Sequence, residues 1–103
     1  MTKVIIDAGV CGFTTDVSAK FDAETGICDL KVDTKCPAFA KVAAKIHSVS
    51  PAEEACWGKS VIHNTMRENC SHTACPVPAG IVKAVQVACG MKAPVNASIT
   101  FVE

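Results

Sequence analysis

Tyrosine is absent from this chain of 103 residues, and four phenylalanines and one tryptophan are its whole aromatic content. Any core must therefore be mostly Val, Ile and Ala. An excess of either charge is also missing, because ten basic residues balance ten acidic ones. Without a basic stripe there is no reason to expect nucleic acid as a partner. Without a Lys/Arg cluster there is none to expect a membrane surface. No apolar run is long enough to span a bilayer. No P-loop, G-x-G-x-x-G stretch, serine elbow or complete hydrolytic triad appears. Met1-Thr-Lys leads straight into the strand-like run VIID, so no signal peptide is expected and the expected compartment is the cytoplasm.

Cysteine is what the chain has in excess. There are seven: Cys11, Cys28, Cys36, Cys56, Cys70, Cys75 and Cys89. Intracellular chains keep thiols reduced, and the count is odd, so a disulfide framework is not expected. Metal binding, thiol chemistry or small core residues remain.

The length suits one domain, residues 1–103, with a modest core; a chain of this size hides roughly two-thirds of its unfolded surface. KVIID reads as a strand buried on both faces. FTTDVSAKFD alternates, with Phe13, Thr15, Val17, Ala19 and Phe21 on one side, and ICDLKVD alternates again with Cys28, Leu30 and Val32 inside. From Pro37 the period becomes helical, through Phe39, Val42, Ala43 and Ile46. Ser50-Pro-Ala-Glu53 has the pattern of a capping box with proline at the first helical position, so a second helix starts there; Gly58 interrupts it and SVIHNTMREN resumes to Asn69. A third helix is predicted from about Val77 to Cys89, capped by Gly90, and ASITFVE is predicted as a closing strand. The expected fold is an α/β (α+β) two-layer sandwich of order βββαααβ, a mixed four-stranded sheet with about three helices on one face.

The cysteines divide by position. Cys28 on the inner side of a strand and Cys89 on an apolar helix face read as small core residues, as does Cys56, four residues after Ala52. The other four stand where elements end. Cys11 follows the first strand, Cys36 precedes Pro37, Cys70 follows the second helix and Cys75 precedes Pro76. Element ends gather at the edges of a layered fold, so these four are candidates to meet at one point. Cys-Pro also closes ligand runs in bacterial ferredoxins. A helix start offers free N–H groups and positive potential to thiolate or sulfide. Cys70-x4-Cys75 is not the short C-x2-C grip of a zinc finger, so the signal is topological. The soft all-thiolate set suits an iron–sulfur cluster, with zinc as the alternative.

Cys75-Pro76-Val77-Pro78 at the head of a helix resembles the Cys-Pro-x-Pro motif of the TusA/SirA-like sulfur carriers. That resemblance covers roughly residues 74 to 102 and implies a persulfide on Cys75 in a two-layer α/β fold. This chain departs from the carriers in placing the motif late rather than after its first strand. DAGVCGFTT, the CP before helix one and ACPVPAGI also resemble a family of small uncharacterised cysteine-containing proteins of anaerobic prokaryotes.

Of the remaining candidates, His72 between Cys70 and Cys75 is a spare ligand or a solvated loop residue. His47 and His63 read as structural, Asp7 as a turn former around Gly9, and Trp57 as a packing residue. The expectation is therefore an iron–sulfur protein, 4Fe–4S rather than zinc, held by Cys11, Cys36, Cys70 and Cys75. It would serve electron transfer or a larger redox enzyme, and would be no enzyme itself. A sulfur carrier centred on Cys75 and a zinc-stabilised or metal-free interaction domain are the alternatives. A cluster shared between two chains would make it a homo-oligomer.

Overall fold

Three antiparallel strands lead the chain. β1 (Thr2–Asp7), β2 (Thr14–Asp22) and β3 (Ile27–Thr34) follow one another through tight turns, and each pairs with the next. The computed structural model describes residues 1–103. The alternation in sequence becomes the two faces of the sheet. Thr15, Val17, Ala19, Cys28 and Leu30 are buried, whereas Asp16, Lys20, Asp29 and Lys31 are exposed. After β3 come α1 (Pro37–Ala43), a two-residue β4 (Ser48–Val49), a single helical turn α2 (Pro51–Glu54), α3 (Val61–Asn69) and α4 (Val77–Ala88). β4 pairs antiparallel with the start of β3, Cys28 against Val49, which completes a four-stranded sheet in the order β1-β2-β3-β4.

The helices cover one face of this sheet. α4 lies on β1 and β2, and α1 lies on β3. Between the layers, Ile6, Val17, Ala19, Leu30, Phe39, Val42, Ile62, Ile81 and Val85 form one contiguous core. Its residues are small and branched, as the poverty in aromatics requires; Phe39 is the one fully buried ring.

Three expectations change. The sheet is antiparallel rather than mixed: short turns reverse the chain between β1, β2 and β3, and the longer connection through α1 returns β4 antiparallel to β3. The fourth strand is Ser48–Val49 and not ASITFVE. Every residue from Gly90 to Glu103 is exposed and none lies in a strand, so the order is βββαβααα. β1 is not buried on both faces either. It sits at the sheet edge with no layer over its outer side, so Lys3, Ile5 and Asp7 are exposed while Ile6 faces the core. The helices after residue 60 match their predicted bounds closely, as does the C-terminal cap. Gly90 N–H donates to Val87 C=O and Met91 N–H to Gln86 C=O, a Schellman ending.

The capping expectation at Ser50 moves one residue and one helix along. Ser50 makes no side-chain cap. Instead Glu54 is buried and serves α3. Its carboxylate accepts from the Val61 N–H at 2.8 Å and from the Ser60 hydroxyl, while the Ser60 oxygen accepts from the His63 N–H at 3.1 Å. A buried carboxylate is tolerable where orphan helix N–H groups surround it.

Candidate functional site

The end of the sandwich where β1 stops and α4 starts gathers four chain junctions. The first is the β1–β2 turn. Asp7 accepts from the Gly9 N–H at 2.9 Å, and the Gly12 N–H donates to Gly9 C=O at 2.8 Å. Gly9 and Gly12 take φ of +87° and +73°, values L side chains rarely adopt, and they hold Val10 and Cys11 out at the tip of the turn. Cys11 is exposed there.

The second junction is Cys36, at the N-cap of α1. Its N–H donates to the Thr34 hydroxyl at 3.2 Å, and that hydroxyl also meets the Thr15 hydroxyl at 2.8 Å. The pair ties the cysteine to the closing rungs of β2 and β3. Cys36 C=O already accepts from Ala40 N–H, so the residue is both strand end and helix start. Pro37 fits at the first helical position because that N–H has no helical partner.

Cys70 and Cys75 form the third and fourth. Cys70 caps α3, its N–H donating to Met66 C=O at 2.9 Å. The chain then turns through Ser71–Ala74, with Cys75 N–H donating to His72 C=O, and enters α4 through Pro76. Cys36, Cys70 and Cys75 are half-buried and pack against the core.

A close contact seats this end of α4. A Cβ on Gly80 would lie 2.6 Å from Cδ1 of Ile6, so only glycine lets the first turn of α4 come down onto β1 beside the Cys11 turn. Ile6 is buried and has little room to yield.

Electrostatics reports that the sulfurs are neighbours. Burial pushes the Cys75 thiol above its ordinary pKa, and the Val77 N–H draws it partly back. Charge on Cys36, Cys70 and Cys11, in that order, pushes it up again. The structure thus brings Cys36, Cys70 and Cys11 each within electrostatic reach of Cys75. It does not close them into a ligand set: no three or more His, Cys, Asp or Glu side chains stand in metal-holding geometry. Three of the sulfurs pack inward and Cys11 rides on an exposed turn.

The other cysteines lie elsewhere. Cys28 is fully buried, and Cys89 is half-buried at the far end of α4 with its thiol donating to Gln86 C=O at 3.5 Å. Cys56 is exposed rather than a core residue, because α2 ends at Glu54 and leaves it past the helix on a turn. Trp57 is exposed as well and does not pack into the core. It touches His63 edge to face, with ring centroids 5.0 Å apart. These residues line a shallow cleft with Glu54, Ser60, Val82 and Gln86. Glu54, Ser60 and His63 look like a hydrolytic set by type, but the serine stands between acid and histidine and is 1% exposed, so it is a helix cap and no nucleophile. His72 is exposed in the Cys70–Cys75 turn, and His47 binds Ala44 C=O at 2.9 Å after α1.

Gly80 and Thr34 were not singled out in the sequence. A glycine within a helical run such as PVPAGIVKAV signals a close approach, and a threonine two residues before Cys36 signals a local side-chain-to-backbone bond.

No helix is long and apolar enough to cross a membrane. Comparison with curated proteins finds no match, and comparison with solved structures finds none either. The model of one family matches residues 2–101, nearly the whole chain, and takes in all four junction cysteines. The chain belongs to DUF6951, a family of unknown function.

Proposed function

We propose that the protein binds an iron–sulfur cluster through Cys11, Cys36, Cys70 and Cys75 and serves electron transfer, alone or beside a larger redox enzyme. The observation that carries this reading is the meeting of four cysteine-bearing junctions at one end of the sandwich, three of them half-buried against an apolar core. Soft thiolate ligands select iron–sulfur centres or zinc. The N-terminal turns of α1 and α4, each entered through a Cys-Pro pair, add free N–H groups that stabilise negative sulfur.

The raised Cys75 thiol does not by itself separate ligand from nucleophile, since both act as thiolates; the three further cysteines at this end favour the ligand, because a carrier needs only one. A bound cation would displace the Cys75 proton and offset the burial that disfavours its thiolate, so uptake should release protons. The Cys11 turn, flanked by two glycines and exposed, is the element free to adjust on binding. An anaerobic cytoplasm is the setting that would preserve so open a centre.

The test is anaerobic purification followed by reconstitution with iron and sulfide. Iron and acid-labile sulfide bound together, with visible absorption, is the expected result. Zinc without sulfide would replace this reading with a structural metal site. A colourless, metal-free chain that takes up sulfur on Cys75 from a donor would replace it with the carrier.

A further inference from the structure

Two features at opposite ends of the sequence are each incomplete, and they complement one another. The first is the edge of the sheet at β1, which pairs with β2 and with nothing on its other side. An edge strand leaves N–H and C=O groups unpaired at every second residue, and proteins usually blunt it with proline, a bulge or a covering element. Thr2–Asp7 contains no proline, its charges Lys3 and Asp7 flank an apolar Val4–Ile6, and its pairing with β2 is regular from Thr2 through Asp7. Ile5 is 76% exposed on its outer face, and Val4 on its inner face is only half-buried.

The second is the C-terminal segment. No backbone N–H or C=O of Asn96–Glu103 is hydrogen-bonded within the chain. Its apolar side chains stand in water, with Ile99 at 83%, Phe101 at 94% and Val102 at 89% exposure. The segment alternates as a strand does, Ala97, Ile99 and Phe101 against Ser98, Thr100 and Val102. An isolated strand has no stability in water, and a run of exposed β-branched and aromatic residues calls for a partner.

We infer that two copies of the chain pair by exchanging this segment: Ala97–Val102 of each lies along β1 of the other as a fifth strand. After its Schellman cap the chain leaves α4 and stands clear of its own sheet, so the segment and the edge of β1 are both left free for a second copy. Exchange is reciprocal, so both open edges and both free segments are used and the assembly closes as a dimer. The added strand sets one apolar row beside Val4 and Ile6, extending the inner face of the sheet. This inference does not depend on the metal reading.

The test uses the full chain. Analytical ultracentrifugation gives its mass over a dilution series, and amide hydrogen exchange follows Ser98–Val102. A dimer is expected, with those amides protected and their protection lost on dilution as the dimer separates. Ile99→Asp with Phe101→Asp should weaken association tenfold or more, about 1.4 kcal/mol at least, while the far-ultraviolet spectrum of the dissociated chain stays that of a folded protein. Thr100→Pro, which removes a backbone donor, should act in the same direction. A monomer at every concentration overturns the inference. Free exchange in that monomer means an unpaired tail, and protected amides mean the segment joins its own sheet. A dimer that both variants leave intact also overturns it, since the contact then lies elsewhere.

Discussion

The two ends of α4 carry cysteines in contrasting company. Cys75 opens the helix and Cys89 closes it, separated by about 18 Å of helix. At the far end, Cys28 is pushed above its ordinary pKa first by burial, then by Cys89 and by Asp29, with a backbone bond at Lys20 drawing it back. At the near end, Cys75 is pushed up first by burial and then by three sulfurs. The thiol shifts look alike, but the surroundings differ in kind. Cys28 is enclosed between the layers, where a thiol behaves as a small apolar residue. Cys75 stands at a chain junction with three more cysteines around it, each at the terminus of a different element. A raised thiol pKa therefore does not distinguish the two ends; the number of sulfurs near it does.

The largest expected effect separates the two ends directly. Cys75→Ser should abolish uptake of iron and sulfide, and Cys89→Ser should leave both at the wild-type level, as measured by metal and sulfide analysis after reconstitution. Cys28→Ala should act on stability alone, at about 1–2 kcal/mol in chemical denaturation, since it removes a fully buried group. Loss of the chromophore in Cys89→Ser or Cys28→Ala would move the site to the far end of α4.

The next effect concerns how the near end is assembled. Gly80→Ala places a methyl group against the buried Ile6, so α4 must lift from β1 or Ile6 must leave its position. A destabilisation of about 1–3 kcal/mol is expected, as for other overpacked sites. Lifting this turn also carries Cys75 away from the Cys11 turn, so metal affinity should fall along with stability. An alanine variant as stable as wild type, with unchanged affinity, would show that the close approach does not set the site.

How much of this was legible in the sequence follows from the range of each signal. β2 and β3 were readable because each alternates over a full strand with one face covered, and α3 and α4 because their apolar spacing and flanking residues agreed. β4 was not, since two residues have no period. The C-terminal run was read as a strand of this sheet because its pattern is that of a strand; pattern specifies what a segment can pair as, and leaves open which edge it finds. Cys56 was placed inside because the helix from Pro51 was read as longer than its single turn, and Trp57 because a large aromatic ordinarily packs. Glu53 was given a capping role that belongs to Glu54, whose partners lie six to eight residues on, beyond the reach of a local capping pattern. Position in the sequence placed Cys28 in the core and Cys11, Cys36, Cys70 and Cys75 at junctions, but it put Cys56 in the core when it is exposed and Cys89 there when it is only half-buried. The contact between Gly80 and Ile6 that seats the junctions joins residues too far apart in sequence for local patterns to reveal.

The smallest expected effect is on pH dependence, and it tests whether the two ends are independent. Cys28 and Cys75 both have folded-state pKa values above those of the unfolded chain. The folded chain therefore holds these protons more tightly, and the stability this confers is fully present below the unfolded thiol pKa. It is lost as pH rises through the raised folded values. Denaturant midpoints of the metal-free protein, kept reduced, should fall as pH climbs through the thiol range. Cys28→Ala should flatten part of that fall and Cys75→Ala a separate part, with the double variant showing the sum, as sites at opposite ends of a helix should. Metal loading should remove the Cys75 share, because a bound cation favours thiolate, and leave the Cys28 share as it was. Loading that also erased the Cys28 share would mean that the two ends of α4 are coupled and that the division of the cysteines into ligands and core residues is wrong.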